Sequence, residues 1–210
     1  MTNNKNCEKQ TRRRQPEVIR KRILHASLSI FAARGFEGAT LQQIASKAKV
    51  SQPLMVYHFK SKKGLWQAMI EHTVGEFDRY LEETTSKQAT ATEQLRDIIE
   101  ATVRVSREFP EFRRIMVNDA FSKNARLEWM GENFAKRHHN LITQLIAAAQ
   151  QEGEVIMIDP SRLSFLINEM ATHPSRAAEY EYLTGKNPCT DEEVEDTIDA
   201  INTVVFIGKT

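Results

Sequence analysis

Apolar residues recur at three- and four-residue spacing from Val18 to Ile207, the mark of amphipathic helices. The first run holds Val18, Ile19, Ile23, Leu24, Ala26, Ile30 and Phe31. It opens at Pro16, whose missing N–H is harmless in a first turn, and is predicted to stop near Arg34, with Gly35 as a left-handed cap. Thr40 reads as the N-cap of a short second helix whose apolar stripe is Leu41, Ile44, Ala45 and Ala48. Lys49-Val50-Ser51 is a tight connection to a third helix, capped by Ser51, with Gln52 and Pro53 in its first turn. Ser61 caps a fourth over 62–84, and further helices are predicted over 91–108, 110–122, 125–152, 160–185 and 190–208. Breakers separate them at Phe109-Pro110, Gly153, Asp159-Pro160 and Gly185-Lys186-Asn187-Pro188. Val155-Ile156-Met157-Ile158 favours a strand, but no second run offers it a partner, so a buried turn is expected. The predicted fold class is all-α, about nine helices. A disordered basic arm over 1–15 precedes a three-helix helix-turn-helix domain over 16–63 and a larger helical domain over 64–210.

Charge divides along the same line. Residues 1–63 carry fourteen basic and three acidic side chains, an excess of eleven positive charges. The remaining residues carry fifteen basic and twenty-five acidic ones, an excess of ten negative charges, although the whole chain nets only +1. A basic N-terminal third on an acidic body is the electrostatic pattern of polyanion binding. No run approaches the ~18 apolar residues of a membrane span, so no membrane partner is expected. The polar, basic start predicts no secretory signal. Cys7 and Cys189 are too far apart in sequence for a metal motif or a disulfide framework, which fits a cytoplasmic, nucleoid-associated protein.

Two short helices joined by a tight turn and packed on a longer first helix form a helix-turn-helix, whose second helix suits the DNA major groove. Thr40 places a hydroxyl and free N–H groups where a phosphate can sit. By spacing, Ile44, Ala45, Val50, Met55 and Phe59 face the interior. Tyr57 and His58 fit either a DNA contact or half-buried packing. Arg12-Arg13-Arg14 fits either a DNA-reaching arm or a solvated tail.

Residues 22–65 resemble the N-terminal domain of the TetR family of transcriptional repressors. The resemblance rests on Ile23-Leu24, Ala26, Phe31, Gly35-Phe36, Thr40, Ile44-Ala45, Ala48, Val50-Ser51, Tyr57-His58-Phe59, Ser61-Lys62 and Leu65. It implies a ligand-responsive repressor that binds a palindromic operator in double-stranded DNA as a homodimer and is released by a small-molecule effector. It further implies DNA contacts from Thr40, Ser51, Gln52, Pro53, Tyr57, His58 and Lys62. Among these, Gln52 suits bidentate pairing with adenine, and Pro53 with Leu54 suits a thymine methyl. Tyr57 and His58 suit phosphates, which fix register without reading sequence. Val56 departs from the family, which often has an aromatic residue there.

In the C-terminal part, Leu163, Leu166, Ile167, Met170, Val194, Ile198, Ile201, Val204, Val205 and Ile207 give the last two long helices broad apolar faces. These suit a two-fold interface between protomers, completion of the intrachain core, or both. His173-Pro174 either kinks the helix at 160–185 and exposes backbone to a pocket, or separates two helices. Residues 106–121, with 168–173, resemble more weakly a subgroup that includes pyrimidine-utilisation regulators. Candidates for an effector pocket are Phe109, Phe112, Met116, Phe121, Trp129, Phe134, Phe165, Asn168 and His173, each of which also suits the core.

An enzyme is not expected. The sequence offers no catalytic nucleophile–base set, no Gly-rich phosphate loop, and no HExxH or CxxC motif, so no cofactor or metal is predicted. His138 and His139 are adjacent and cannot share one helix face, and Glu132 lies six residues from His138, not three.

Overall fold

The computed structural model describes residues 4–86, 88–121 and 123–208, with side chains described from Pro16 onward. The disordered arm expected over 1–15 and the helix start expected at Pro16 are both corrected: the first helix already begins at Asn4 and Pro16 stands inside it, because the Lys, Glu, Gln and Arg residues of this stretch favour helix even without an apolar stripe. The side chains of Arg12-Arg13-Arg14 and Cys7 lie outside those described. The chain divides into two compact units, Met1–Thr73 and Val74–Thr210.

The first unit holds α1 (Asn4–Gly38), α2 (Leu41–Ala48), α3 (Gln52–Phe59) and the start of α4 (Lys62–Thr84). Its buried side chains include Ile23, Leu24 and Phe31 of α1, Ile44, Ala45 and Ala48 of α2, Met55 and Phe59 of α3, and Leu65 and Trp66 of α4. Phe36 stacks on Phe31 at 5.8 Å and meets Trp66 edge-on at 6.3 Å. The predicted break at Gly35 is present, but with φ 68° and ψ 172°. That ψ lies outside the left-handed helical basin and in a region open essentially to glycine alone. The helical hydrogen bonding resumes for one further turn, so α1 ends at Gly38.

The second unit holds the rest of α4, then α5 (Ala91–Glu108), α6 (Pro110–Ala120), α7 (Ala125–Met130), α8 (Lys136–Gln151), α9 (Pro160–Ala171), α10 (Ala177–Thr184) and α11 (Asp191–Val205). Helix starts follow side-chain caps: Thr90 with Glu93 closes a capping box on α5, Asn124 caps α7, Asp159 caps α9 and Thr190 caps α11. The core packs Leu95, Ile99 and Val103 of α5 with Ile146 and Ala149 of α8, Leu163, Ile167 and Ala171 of α9, and Val194, Ile198, Ile201 and Val205 of α11.

Two sequence expectations are corrected here, and the choice left open at His173-Pro174 is decided. The helix predicted over 125–152 contains a wider π-helical turn, Gly131–Ala135, between α7 and α8. The strand-favouring run is not without a partner. Val155 forms an antiparallel bridge with Phe206, closed by Ile156 N–H donating to Val205 O (3.1 Å) and Ile207 N–H donating to Glu154 O (2.8 Å). The chain just past α11 supplies the partner, and it read as helix because Val205, Phe206 and Ile207 continue an apolar pattern. The helix predicted over 160–185 is two helices, α9 and α10, separated by a 3₁₀ turn at His173–Arg176. Pro174 removes the donor for the Met170 carbonyl, and His173 Nδ1 lies 3.3 Å from that oxygen, a hydrogen bond when Nδ1 carries the proton.

Candidate nucleic-acid interface

The interface is built from caps outward. Thr40 Oγ1 accepts from Gln43 N–H (3.2 Å), while Gln43 Oε1 accepts from Thr40 N–H (3.1 Å), so α2 opens with a full capping box. Ser51 Oγ accepts from Leu54 N–H (3.3 Å) at the start of α3, where Pro53 sits in the first turn and costs no hydrogen bond. Both cap hydroxyls retain a free O–H, and both stand on exposed residues.

Helix α3 splits cleanly by face. Met55 and Phe59, four apart, are 1% and 5% exposed and anchor the helix in the first unit. Gln52, Pro53, Val56 and Tyr57 are exposed, Tyr57 by 71%. Gln52 and Val56, and Pro53 and Tyr57, lie one turn apart along two neighbouring rows of one outward surface. Leu54 and His58 are half-buried along its flank, and the His58 ring meets Tyr57 edge-on at 5.4 Å.

Cations surround this surface, but they are not equivalent. Lys47, Lys49, Lys60 and Lys63 are exposed. Lys60 places its ammonium 5.4 Å from the centre of the Tyr57 ring. Arg20 lies 4.8 Å over Phe59. Lys62 turns back toward the end of α1. Its ammonium donates to Glu37 O (3.3 Å) and Ala39 O (3.2 Å) and sits 4.6 Å over the Phe36 ring.

Sequence reasoning missed the backbone of two of these lysines. Lys49 caps α2 in the left-handed helical conformation, φ 53° and ψ 47°. Lys60 caps α3 with φ 67° and ψ −43°. Neither position carries the Gly, Asn or Asp that signals positive φ, so nothing in the sequence marked them.

The nine pocket candidates fall into different surroundings. Phe109 is buried at the junction of α5 and α6, with Phe112 and Met116 half-buried on α6. Trp129 and Phe134 pair edge to face at 5.5 Å. Phe121 and Phe165 are 86% and 66% exposed in the single chain, so they do not join Phe109 in one enclosed site. Asn168 and His173 are half-buried, and His173 lies 5.2 Å from Tyr180. Tyr180 Oη donates to Glu193 Oε2 (2.8 Å), and Lys186 pairs with the other carboxylate oxygen. Lys186, then Tyr180, hold the Glu193 carboxyl below its ordinary range, while the same contact with Glu193 pushes the Tyr180 hydroxyl up. His138 and His139 diverge as adjacency requires: His138 pairs with Asp78 (2.9 Å) and His139 lies against Phe165. Among the described residues no group of three His, Cys, Asp or Glu is placed to hold a metal, and no helix is long and apolar enough to cross a membrane.

Of the ten apolar residues that sequence alone left open between core and interface, Leu163, Ile167, Val194, Ile198, Ile201 and Val205 belong to the intrachain core. Leu166, Val204 and Ile207 remain 46%, 55% and 47% exposed, and Phe165 joins them.

Residues 23–69 match the family described as bacterial regulatory proteins, tetR family. Over 200 residues the chain is 26% identical to the HTH-type transcriptional regulator RutR of Escherichia coli K12, spanning 94% of this chain and 93% of that protein. It is 27% identical over 108 residues to the HTH-type transcriptional repressor NicS of Pseudomonas putida, about 51% of each chain. The fold is similar to that of AibR solved with isovaleryl coenzyme A and operator DNA, with TM-score 0.71 and 17% identity over 90% of this chain and 98% of that one. It is also similar to the ketosteroid transcriptional regulator KstR2 of Mycobacterium tuberculosis, with TM-score 0.70 and 14% identity over 90% and 95% of the two chains.

Proposed function

We propose, for a chain whose N-terminal domain belongs to the tetR family of bacterial regulatory proteins, the function of a ligand-responsive DNA-binding transcriptional regulator. It represses by binding a palindromic operator as a homodimer, in the cytoplasm, and a small-molecule effector releases it. The observation that carries this reading is the outward face of α3. Gln52, Pro53, Val56 and Tyr57 are presented together on a helix whose other face is locked by Met55 and Phe59. Gln52 reads an adenine edge, and Pro53, Leu54 and Val56 offer apolar contact to a thymine methyl. Tyr57, His58 and the cap hydroxyls of Thr40 and Ser51 bind phosphate. Lys62 adds charge through the N–H that its two carbonyl bonds leave over.

Two such helices in one dimer occupy successive major grooves about 34–36 Å apart. The exposed Phe165, Leu166, Val204 and Ile207 support dimerisation through α9 and α11. An effector acts through α4, which begins in the first unit and ends in the second, and it must bind the two half-site spacings with different affinity. The similar fold of AibR, solved with isovaleryl coenzyme A and operator DNA, supports a small-molecule effector. The test is selection of bound fragments from genomic DNA, followed by gel shift on the recovered palindrome. Binding should fall steeply with salt, and Tyr57→Ala with Lys62→Ala should abolish it. Retained binding by that double variant would move the DNA-binding face elsewhere.

A further inference from the structure

Among the described non-glycine residues Lys49 and Lys60 have positive φ, and Lys60, at the joint between α3 and α4, falls outside the left-handed helical basin. Lys60 has φ 67° and ψ −43°, and Ser61 N–H donates to Phe59 O at 2.7 Å, closing a three-residue γ-turn of the rare positive-φ kind. Lys49, the other lysine with positive φ, lies in the allowed left-handed basin and carries no such strain. The surroundings hold the γ-turn in place. Lys60 N–H donates to Val56 O at 2.8 Å, and Ser61 Oγ accepts from Gly64 N–H at 3.0 Å. A Cβ on Gly64 would stand 2.3 Å from Phe59 O, so the Phe59 carbonyl is pressed against the first turn of α4. Glycine would occupy the Lys60 conformation without the steric penalty that a Cβ incurs. A lysine there keeps the strain, and strain at a non-glycine residue is a reason to look for a role in its side chain.

The side chain has one in view. Lys60 is exposed, and its ammonium reaches back over the ring of Tyr57, on the outward face of α3. Lys62, two residues on, spends two of its N–H groups on backbone carbonyls, whereas Lys60 has no competing bond of this kind among the described contacts.

Building on the regulator reading above, we infer that Lys60 is a phosphate-contacting residue of the DNA interface. It places a cation beside Tyr57 at the C-terminal end of the recognition helix, and the strained turn aims it there. It contributes affinity and salt dependence and no base preference, because an ammonium reads phosphate charge and not base edges.

Three variants on a duplex selected from a random-sequence library test this. Lys60→Gln keeps a Cβ at the strained position and removes the charge. It should weaken binding equally on all selected sequences and lower the slope of log K against log salt by about two, one contact per protomer of a dimer. Lys60→Arg should retain affinity and slope. Lys60→Gly should weaken binding like Lys60→Gln while raising Tm by about 2–4 °C, since it relieves the backbone. Tighter folding with looser DNA binding is an outcome that a merely structural residue would not give. Lys60→Gln with wild-type affinity and slope overturns the inference alone. Failure of the wild-type protein to select any duplex overturns the regulator reading and this inference with it.

Discussion

The ammonium of Lys62 lies 3.2 Å from the carbonyl oxygen of Ala39, and a second bond reaches Glu37, so the first residue of α4 closes the end of α1 just before the capping box of α2. Carbonyls at a helix end lack intrahelical donors, and a cation there satisfies them and opposes the helix dipole. Lys62→Ala should therefore destabilise the first unit by about 1–2 kcal/mol. Chemical denaturation of that variant checks it, and an unchanged midpoint would show that the clamp contributes nothing.

Two glycines of α4 should respond oppositely to alanine. At Gly64 the added Cβ meets backbone, the Phe59 carbonyl oxygen, at 2.3 Å, so the chain must shift and about 2 kcal/mol or more of stability should be lost. At Gly75, exposed and with nothing within 4 Å, the same change should stabilise by about 0.5–1 kcal/mol through helix propensity. Thermal melts of the two variants side by side would reveal the sign difference.

Tyr57 and Gln52 should separate affinity from specificity. Tyr57 is 71% exposed, so Tyr57→Ala should alter stability by no more than about 0.5 kcal/mol while weakening DNA binding on every sequence. Gln52→Ala should cost about 1–3 kcal/mol on the preferred operator and relax selection at one base pair of each half-site. Repeating the fragment selection with each variant distinguishes the two patterns.

Glu193 should leave a mark on the acid limb of stability. It is buried, and Lys186 first and then Tyr180 hold its pKa in the fold below the ordinary 4.5. A depressed carboxyl stabilises fully at pH above its unfolded value, and that contribution is lost as pH falls through the lower, folded value. Tm should thus drop more steeply below about pH 4.5 in the wild type than in Glu193→Gln, which has no carboxyl to protonate. Parallel acid limbs in the two proteins would remove Glu193 from the acid sensitivity.

Phe165 is the residue on which the proposed dimer can be broken without disturbing the core. It is 66% exposed, whereas its neighbours Leu163 and Ile167 are buried. Phe165→Asp should convert dimer to monomer by light scattering, with operator binding lost in step because one recognition helix cannot hold a palindrome. A dimer that persists would place the interface away from this part of α9.

The spacing of apolar residues and the capping side chains carried most of the fold. Thr40, Ser51, Ser61 and the first-turn Pro53 each mark a helix start through a local hydrogen bond or a fixed φ, and local causes are written in consecutive residues, whereas Pro16 stands inside α1 and marks no start. The division of α3 into anchoring Met55 and Phe59 and outward Gln52 and Tyr57 was legible for the same reason, since helical period alone sets it. What tertiary structure decided depends on partners distant in sequence. Val155 became a bridge only because Phe206 arrives beside it, fifty-one residues later. Lys62 reads as a surface cation until the carbonyls of Glu37 and Ala39 come within reach, and the positive φ of Lys60 belongs to a residue type that does not announce it. Which apolar residues fill the core and which stay outside was likewise set by packing, because Leu163 and Leu166 are chemically alike and differ only in what the other helices cover.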